Sequence, residues 1–457
     1  MSNLETSRGG WGSKIGFIVA AAGSAIGLGN IWRFPYVAGE NGGAAFVLLY
    51  IFFVLLIGLP VMIAELSIGR YTVKNPVGAF KKIFPKSLWK AVGGMGVITG
   101  IGILSFYGVI AGFTLGYFIK IILGDFNAIE SAAQSEQIFS AFTANPFISI
   151  GLLFLFILLT VMVVMGGVSA GIERWSKILM PVLLVLLIVL AIRSVTLDGA
   201  TAGLSFYLKP DLSKITLTTF ARALGQALFS LSLGMGTMIT YGSYIAKRDN
   251  LVTSAVYVAF FDTFIAILAG LVMFPALFAM GMDPAGGPGL VFVVLPSIFA
   301  KMPGGIIFGA GIFLLLSVAA LTSTISLLEV PVAYFVDEHR WSRKKAVFSM
   351  GLITFIIGIP SALALGANNF FTNFIKVNFG FLDFMNALFG NYSLSIGAFF
   401  IAVFAGYKWG VKAVAREVQE QGNVFYFRRV WAFLIRFICP IAIFGILAYI
   451  AATGNYF

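Results

Sequence analysis

Charged and oxygen-bearing side chains interrupt several long apolar stretches of this chain. Glu65, Asp262 and the run Thr322-Ser323-Thr324 each lie in apolar surroundings. Asn30 and Arg33 follow two closely spaced glycines. A buried carboxylate is costly without a cation, a hydrogen-bond donor or a proton, and carboxylate and hydroxyl oxygens suit hard cations. The pattern therefore favours cation binding, although Ser and Thr in membrane helices more often bond the carbonyl four residues earlier.

The stretch from Gly23 to Pro35, GSAIGLGNIWRFP, lies in the middle of an apolar span. Gly costs about 1 kcal/mol relative to Ala in a helix, and Pro about 3 kcal/mol. Backbone that leaves a helix inside a bilayer must be buried in protein or line a cavity, and an Arg at that depth suggests a functional site. The alternative is a helix kinked at Pro35 whose Arg33 reaches the membrane surface.

A second glycine-rich interruption, Gly234-Met235-Gly236, occurs within QALFSLSLGMGT at residues 226–237. Each interruption falls in the first span of a group of five. Interrupted spans at matching positions of two halves indicate a transporter with inverted repeats, whose broken helices meet near the membrane midplane. Close helix crossings also use paired glycines, but that explanation accounts for one motif more easily than for two.

The composition places the chain among polytopic membrane proteins. Of the 457 residues, 60% are hydrophobic and 11% are charged, with a mean hydropathy of +0.99. The net charge of +12 therefore reflects loop topology rather than nucleic-acid binding. The single Cys439 excludes an intramolecular disulfide, and His339 lies among loop charges, so a Cys- or His-based metal site is not expected. No removable signal peptide and no catalytic residues are predicted.

The hydropathy pattern predicts an all-α protein with about eleven membrane spans, the first and the sixth broken. We treat residues 1–457 as a single transporter domain. Its inverted repeats cover about 14–195 and 218–407, and an extra C-terminal helix covers about 429–453. The predicted spans are residues 14–38, 43–69, 91–123, 147–167, 175–195, 218–246, 252–281, 304–336, 346–366, 380–407 and 429–453.

Most of the 30 basic residues fall in loops on one side of these spans. The positive-inside rule then places the N-terminus in the cytoplasm and, with an odd number of spans, the C-terminus outside. The long outer connections are 124–146, 196–217 and 282–303. The last of these could form a helical hairpin over the outer mouth or serve as a passive connector.

Five motifs of this chain match those of a known family of transporters. They are Gly27-Leu28-Gly29-Asn30-Ile31-Trp32-Arg33-Phe34-Pro35, Glu40-Asn41-Gly42-Gly43-Ala44-Ala45-Phe46, Glu65 with Gly69-Arg70, Ser230-Leu231-Ser232-Leu233-Gly234, and Ala319-Ala320-Leu321-Thr322-Ser323. In these motifs the chain resembles the neurotransmitter:sodium symporter family, in its prokaryotic amino-acid-transporting branch. The resemblance extends over essentially the whole chain through the tenth span, and the chain departs from the family pattern in having no twelfth span.

The resemblance implies two sodium ions and one amino-acid site. One ion would be bound by Ala25, Asn30, Ser230 and Asp262, together with the substrate carboxylate. The other would be bound by Gly23, Ile26, Ala319, Thr322 and Ser323. The substrate pocket would be lined by Ser24, Ala25, Gly29, Ile103, Tyr107, Phe229, Ser230, Ser232, Met235, Ser323 and Leu327. Tyr107 would bond the substrate carboxylate, Phe229 would close over the substrate, and Glu65 and Gln226 would support the site.

The resemblance also implies gates on both sides of the site. The outer gate would pair Arg33 with Asn386, which replaces the family's acidic residue, or with Asp383 one turn earlier. The inner gate would consist of Arg8 and Asp337, supported by Trp11 and Tyr244.

The function implied is sodium-coupled uptake of hydrophobic or aromatic amino acids across the bacterial cytoplasmic membrane. Relatives that need chloride generally carry Asn at the position of Asp262. Many chloride-independent relatives carry Glu one turn later, where this chain has Ala266. Asp262 would therefore supply the negative charge. A proton-coupled permease using Asp262 or Glu65 is an alternative. An ion channel fits less well, because no ring of charged residues is evident. The sequence predicts no oligomeric state.

Overall fold

The protein was analysed as a computed structural model that describes residues 9–126, 129, 131–282, 284, 291–301, 304–377 and 379–454. Within these residues all regular secondary structure is helical, apart from one isolated bridge between Lys376 and Phe379. The described part of the chain has nine helices that are long and apolar enough to cross a membrane, or ten spans if a bent pair at the N-terminus counts as one. The expected all-α membrane fold is confirmed.

We number the helices by the spans predicted above and divide the two broken ones into halves a and b. Their bounds are Lys14–Ala25 (1a), Gly29–Glu40 (1b), Ala44–Thr72 (2), Lys90–Ile122 (3), Pro146–Met165 (4), Val168–Val195 (5), Leu217–Ser230 (6a), Thr237–Gly242 (6b), Leu251–Ala279 (7), Gly305–His339 (8), Arg343–Ala362 (9), Phe381–Lys408 (10) and Arg428–Thr453 (11). Shorter helices include Pro76–Ile83, Ala132–Thr143, Ala200–Leu208, Val294–Lys301 and Val411–Val418.

Helix 1 breaks where its glycines predict. Its two halves are bent by 48°, and Ile26 at the break is extended, with ψ of 102°. A Cβ on Gly27 would lie 2.7 Å from the Tyr107 hydroxyl. Only glycine allows helix 3 to approach the break this closely, so Gly27 permits the contact between the break and Tyr107.

Helix 6 is interrupted by residues 231–236. Ser232 has a positive φ of 54°, and Gly234 and Gly236 have φ of 81° and 79°. The left-handed region disfavours residues with a Cβ, so the serine marks local strain. Each half of helix 6 is too short to cross a membrane, which explains why the long-helix count stops at nine or ten while the sequence predicts about eleven spans.

The two broken helices run antiparallel. Residue numbers fall along helix 1 as those of its partners rise along helix 6. The contacting pairs are Glu40 with Arg222, Gly29 with Gln226, Ser24 with Ser232, and Trp11 with Tyr241. This opposite direction is what an inverted pair of repeats requires.

Helix 5 begins earlier than predicted, because Glu173 is buried inside it rather than exposed in a loop. The Glu173 carboxylate accepts hydrogen bonds from the Gly12 amide at 2.6 Å and the Ser13 hydroxyl at 3.1 Å, and it pairs with Lys177 at 2.6 Å. The prediction placed the helix start at residue 175, after the charged pair Glu173-Arg174. Contacts with Gly12 and Ser13 of the N-terminal segment allow Glu173 to be buried, so the helix extends past this charged pair.

Part of the outer connection 282–303 falls within the described residues. It contains helix Val294–Lys301, and Phe292 stacks against Phe139 with ring centroids 5.3 Å apart. The carbonyl carbon of Pro284 would lie 2.9 Å from a Cβ on Gly39, so this connection contacts the outer end of helix 1b. Residues 283, 285–290, 302 and 303 of the predicted hairpin lie outside the described part of the chain.

Buried ion pairs connect several segments at one end of the helix bundle. Arg70 of helix 2 pairs with Glu417 at 2.8 Å, and both side chains are buried. Lys247, which follows helix 6b, pairs with the same carboxylate at 2.7 Å. Burial raises the pKa of Glu417, although hydrogen bonds from Lys247 and Arg70 oppose that rise.

The interruption of helix 6 yields a stability prediction. Replacing Gly234 with Ala forces a Cβ into the left-handed region and against the backbone of helix 10 at Leu394. We expect a loss of about 1–3 kcal/mol of stability and a clearly lower unfolding midpoint. The measurement is thermal unfolding followed with a thiol-reactive dye, because the only cysteine, Cys439, is fully buried.

The matched control is Gly445→Ala, which lies within helix 11 and whose added Cβ meets no atom within 4 Å. It should leave the midpoint unchanged or raise it slightly. Equal midpoints for the two variants would contradict a strained break at Gly234.

Candidate functional site

A fully buried carboxylate, Asp262 on helix 7, joins three other elements. Its Oδ1 accepts hydrogen bonds from Asn30 Nδ2 at 2.8 Å and Ser230 Oγ at 2.7 Å. Its Oδ2 accepts a hydrogen bond from Tyr50 Oη at 2.6 Å. The sequence-predicted ion ligands Asn30, Ser230 and Asp262 are therefore in direct contact. Asn30 lies at the start of helix 1b and Ser230 at the end of helix 6a, whereas Asp262 lies within the unbroken helix 7.

Tyr50 was not predicted from the sequence. It lies on helix 2, is fully buried, and its hydroxyl is also 3.2 Å from Ser230 Oγ. The available signal was that Tyr50 is the only hydroxyl-bearing residue in the apolar run from Ala44 to Pro60. Its partner is 212 residues away, so spacing alone could not assign it.

A second cluster of oxygens lies between helices 1a and 8. Thr322 Oγ1 donates to the Ala319 carbonyl at 2.8 Å and lies 3.3 Å from the Ile26 carbonyl. The Ser323 hydroxyl donates to the Ser24 carbonyl at 3.2 Å. A Cβ on Gly23 would lie 3.4 Å from Thr322 Cβ. All five residues predicted for the second ion, Gly23, Ile26, Ala319, Thr322 and Ser323, are thus neighbours.

Protein groups satisfy the backbone that the breaks release. The Leu28 amide donates to Tyr107 Oη at 2.8 Å, and Gln226 Nε2 donates to the Gly29 carbonyl at 2.7 Å. In the second break, the Gly234 amide donates to Glu65 Oε1 at 2.7 Å. Glu65 and Gln226, predicted as supporting residues, therefore each bind an unwound segment.

A small cavity lies between the two breaks. Its volume is about 20 Å³, well below that of a typical ligand pocket, so an amino acid would have to displace lining side chains. All eleven residues predicted for the substrate pocket line it, together with Gly27 and Ser326. The full lining is Ser24, Ala25, Gly27, Gly29, Ile103, Tyr107, Phe229, Ser230, Ser232, Met235, Ser323, Ser326 and Leu327.

Ser326 belongs to a group of hydroxyls at one wall of this cavity. Ser24 Oγ donates to Ser326 Oγ at 2.7 Å and lies 3.5 Å from Ser232 Oγ. The Ser232 hydroxyl also donates to the Ser24 carbonyl at 3.0 Å. Sequence reasoning missed Ser326, although it lies three residues after Ser323 and therefore near the same helix face. Met235 and Leu327 supply apolar surface in the same cavity.

Above the cavity, the Arg33 guanidinium lies over the Phe229 ring, with Cζ 4.6 Å from the ring centroid. Both line an outer crevice that Asn386 also lines. Asp383 accepts a hydrogen bond from the Gly380 amide at 2.9 Å, where it caps the start of helix 10. Asn386, rather than Asp383, is therefore the predicted gate residue that shares this crevice with Arg33.

On the opposite side of the cavity, the N-terminal segment packs against the C-terminal half of helix 6. Trp11 Nε1 donates to the Tyr241 carbonyl at 3.1 Å, and the Trp11 and Tyr244 rings meet edge to face at 6.2 Å. Tyr244 Oη donates to Glu329 Oε1 at 2.7 Å. Asp337 accepts hydrogen bonds from the Asn75 amide and side chain. Arg8, the predicted partner of Asp337, lies outside the described residues.

Comparison with known proteins places this architecture in context. The model of the sodium:neurotransmitter symporter family matches residues 8–137 and 136–455. The chain is 40% identical over 436 residues to the uncharacterized sodium-dependent transporter YhdH of Bacillus subtilis (strain 168), covering 95% of each chain. It is 36% identical over 453 residues to an uncharacterized sodium-dependent transporter of Haemophilus influenzae, covering 97% of this chain and 98% of the relative.

Among solved structures, the crystal structure of MhsT in complex with L-phenylalanine superposes with a TM-score of 0.89 at 46% sequence identity. The match covers 96% of this chain and 99% of MhsT. The relatives are sodium-dependent transporters rather than enzymes. The family match spans nearly the whole sequence and agrees with the two broken, antiparallel helices. The chain belongs to the sodium:neurotransmitter symporter family.

Proposed function

We propose that this protein couples the entry of sodium to the uptake of hydrophobic or aromatic amino acids, and that it does so without chloride. The observation that carries the proposal is the position of Ser230. This residue lines the central cavity and also donates a hydrogen bond to Asp262 at 2.7 Å. A substrate in the cavity and an ion at Asp262 would therefore share a neighbour, which gives a physical route for coupling.

Two sodium ions would be carried with each substrate. The first would be bound by Asp262, Asn30, Ser230 and the Ala25 carbonyl, with the substrate carboxylate as a further ligand. The second would be bound by the Thr322 and Ser323 hydroxyls and the carbonyls of Gly23, Ile26 and Ala319. Supporting this, each proposed site combines side-chain oxygen ligands with backbone carbonyls near the break in helix 1, which suits a hard monovalent cation.

The cavity suits an apolar amino acid. Its lining contains no Asp, Glu, Lys or Arg, so a charged substrate side chain would be desolvated without a partner. Met235 is adaptable and makes favourable sulfur–aromatic contacts. The positive end of helix 1b, together with Tyr107, would receive the substrate carboxylate. The L-phenylalanine bound in the MhsT crystal structure supports this substrate class.

Alternating access would open one side of the cavity at a time. Phe229, with Arg33 over its ring, would close the outer side, and Trp11 with Tyr244 would brace the inner side. Loop lysines and arginines would face the cytoplasm by the positive-inside rule, which orients sodium entry and substrate uptake inward across a bacterial cytoplasmic membrane.

Asp262 would replace chloride as the fixed negative charge beside sodium. Unit charges about 4 Å apart attract by roughly 4 kcal/mol at an effective dielectric of 20, enough to affect sodium affinity. After sodium leaves, the buried carboxylate would need another source of neutralisation. A proton bound during the return of the empty carrier would supply it and would be exported, which makes the cycle a proton antiport.

The cavity predicts a substrate order. In proteoliposomes with an inward sodium gradient, unlabelled leucine, phenylalanine, tyrosine or tryptophan should inhibit uptake of labelled phenylalanine far more strongly than glutamate or lysine, because no lining side chain pairs with a charge. Competition curves give the measurement. Equal potency of glutamate and leucine would refute the assigned pocket, and uptake driven by a proton gradient without sodium would favour the permease alternative.

The buried carboxylate predicts an ion dependence. Asp262→Asn should reduce sodium-driven uptake at least about tenfold in chloride-free buffer, since it removes a charge that attracts sodium. Added chloride should restore part of the activity. Initial rates in sodium gluconate and sodium chloride, compared over a range of sodium concentrations, provide the measurement.

The matched control is Asp211→Asn, which makes the same change at an exposed position outside the membrane spans. Its rate should equal that of the unmodified protein in both buffers. Full, chloride-insensitive uptake by the Asp262→Asn variant would refute the role given to Asp262, provided that the control behaves as stated.

A further inference from the structure

A groove opens on the membrane-facing surface where helix 3 begins and helix 10 ends. Its volume is about 500 Å³, within the range of small-molecule sites. It shares no lining residue with the central cavity. The groove lies at one end of the bundle, since Lys90 is the first residue of helix 3 and Lys408 is the last of helix 10.

The wall of the groove is apolar and braced by aromatic packing. Ala91, Val92 and Met95 of helix 3 face Phe400 of helix 10 across it. Trp89 also lines the groove, and its ring centroid lies 5.1 Å from that of Phe404 and 6.2 Å from that of Phe400. Tryptophan is enriched where membrane spans meet the headgroup region, which fits a groove that begins at the membrane surface.

The mouth of the groove is cationic. Lys408 lines it, with Nζ held 4.8 Å from the centroid of the Phe84 ring. Lys86 and Lys90 are exposed and flank the lining residues 87–89 in the sequence, although neither is itself a lining residue. Lys90 and Lys408 form no ion pair with any residue in the described part of the chain. All lining residues fall within the sequence ranges 66–124 and 384–416, and neither range contains an Asp or Glu.

The lysines lie at the ends of helices 3 and 10, and the apolar lining residues of these helices lie farther along each helix. Along helix 3, Val92 and Met95 follow Lys90 into the membrane, and along helix 10 Phe400 lies eight residues before Lys408. At 1.5 Å per residue this separation is about 12 Å. A soluble anion would use only the lysines and an apolar peptide only the wall, whereas a phospholipid with a negative headgroup uses both.

We propose that this groove binds one anionic phospholipid of the cytoplasmic leaflet. The phosphate lies at Lys90 and Lys408, and an acyl chain runs along Val92, Met95 and Phe400. Basic pockets between helices on the cytoplasmic side recognise such headgroups. Because helices 3 and 10 both contribute to this groove, the bound lipid bridges their cytoplasmic ends.

The test is native mass spectrometry of the purified full-length protein titrated with dioleoyl phosphatidylglycerol and, separately, with dioleoyl phosphatidylcholine. The unmodified protein should bind a first phosphatidylglycerol at least about tenfold more tightly than phosphatidylcholine. Lys90→Gln with Lys408→Gln should weaken this binding about 30-fold, the effect of two lysine charges near a membrane surface. Ala91→Trp should also abolish it by filling the groove while keeping the charges.

The charge-matched control is Lys344→Gln with Lys345→Gln, two exposed lysines in the first turn of helix 9 that are not part of the groove. This variant should bind phosphatidylglycerol as the unmodified protein does. The dye assay on Cys439 verifies that each variant is folded. Equal binding of the two lipids, or equal phosphatidylglycerol binding by the groove and control variants, would overturn the proposal. So would a protein dimer that Ala91→Trp dissociates, because a second copy would then occupy the groove.

Discussion

Backbone that leaves helical geometry inside a membrane must find its hydrogen-bond partners within the protein, because lipid offers none. The site depends on this constraint. Tyr107 accepts from the Leu28 amide, Gln226 donates to the Gly29 carbonyl, and Glu65 accepts from the Gly234 amide. The polar groups that hold the breaks open therefore come from helices 2, 3 and 6, and the central cavity forms where they converge.

The same hydrogen bonds connect the two proposed ion sites to the proposed substrate site. Ser24 and Ser323 connect the cavity to the oxygen cluster at Thr322, and Ser230 connects it to Asp262. Each proposed ion site thus shares a residue with the proposed substrate site. In the proposed mechanism, a change at one site would alter the hydrogen bonding of the other directly, without a long path through the protein.

Much of this fold could be predicted from the sequence, because membrane spans and helix breaks are local signals. Apolar length located the spans, and closely spaced glycines located both interruptions. The start of helix 5 was predicted at residue 175 but lies at Val168, because contacts with Gly12 and Ser13 allow the charged Glu173 to be buried within the helix. Tyr50 and Ser326 were missed because single polar residues in apolar helices acquire a role only from distant partners. The resemblance, rather than spacing, identified Phe229 and Met235.

The central claim is that sodium and an amino acid bind cooperatively at the junction of helices 1 and 6. Equilibrium binding to the purified protein tests it most directly. Phenylalanine affinity is measured over a range of sodium concentrations, and sodium affinity over a range of phenylalanine concentrations. Thermodynamic linkage requires that sodium raise the phenylalanine affinity by the same factor as phenylalanine raises the sodium affinity. We predict that this factor exceeds about ten. A phenylalanine affinity that does not change with sodium would contradict the account.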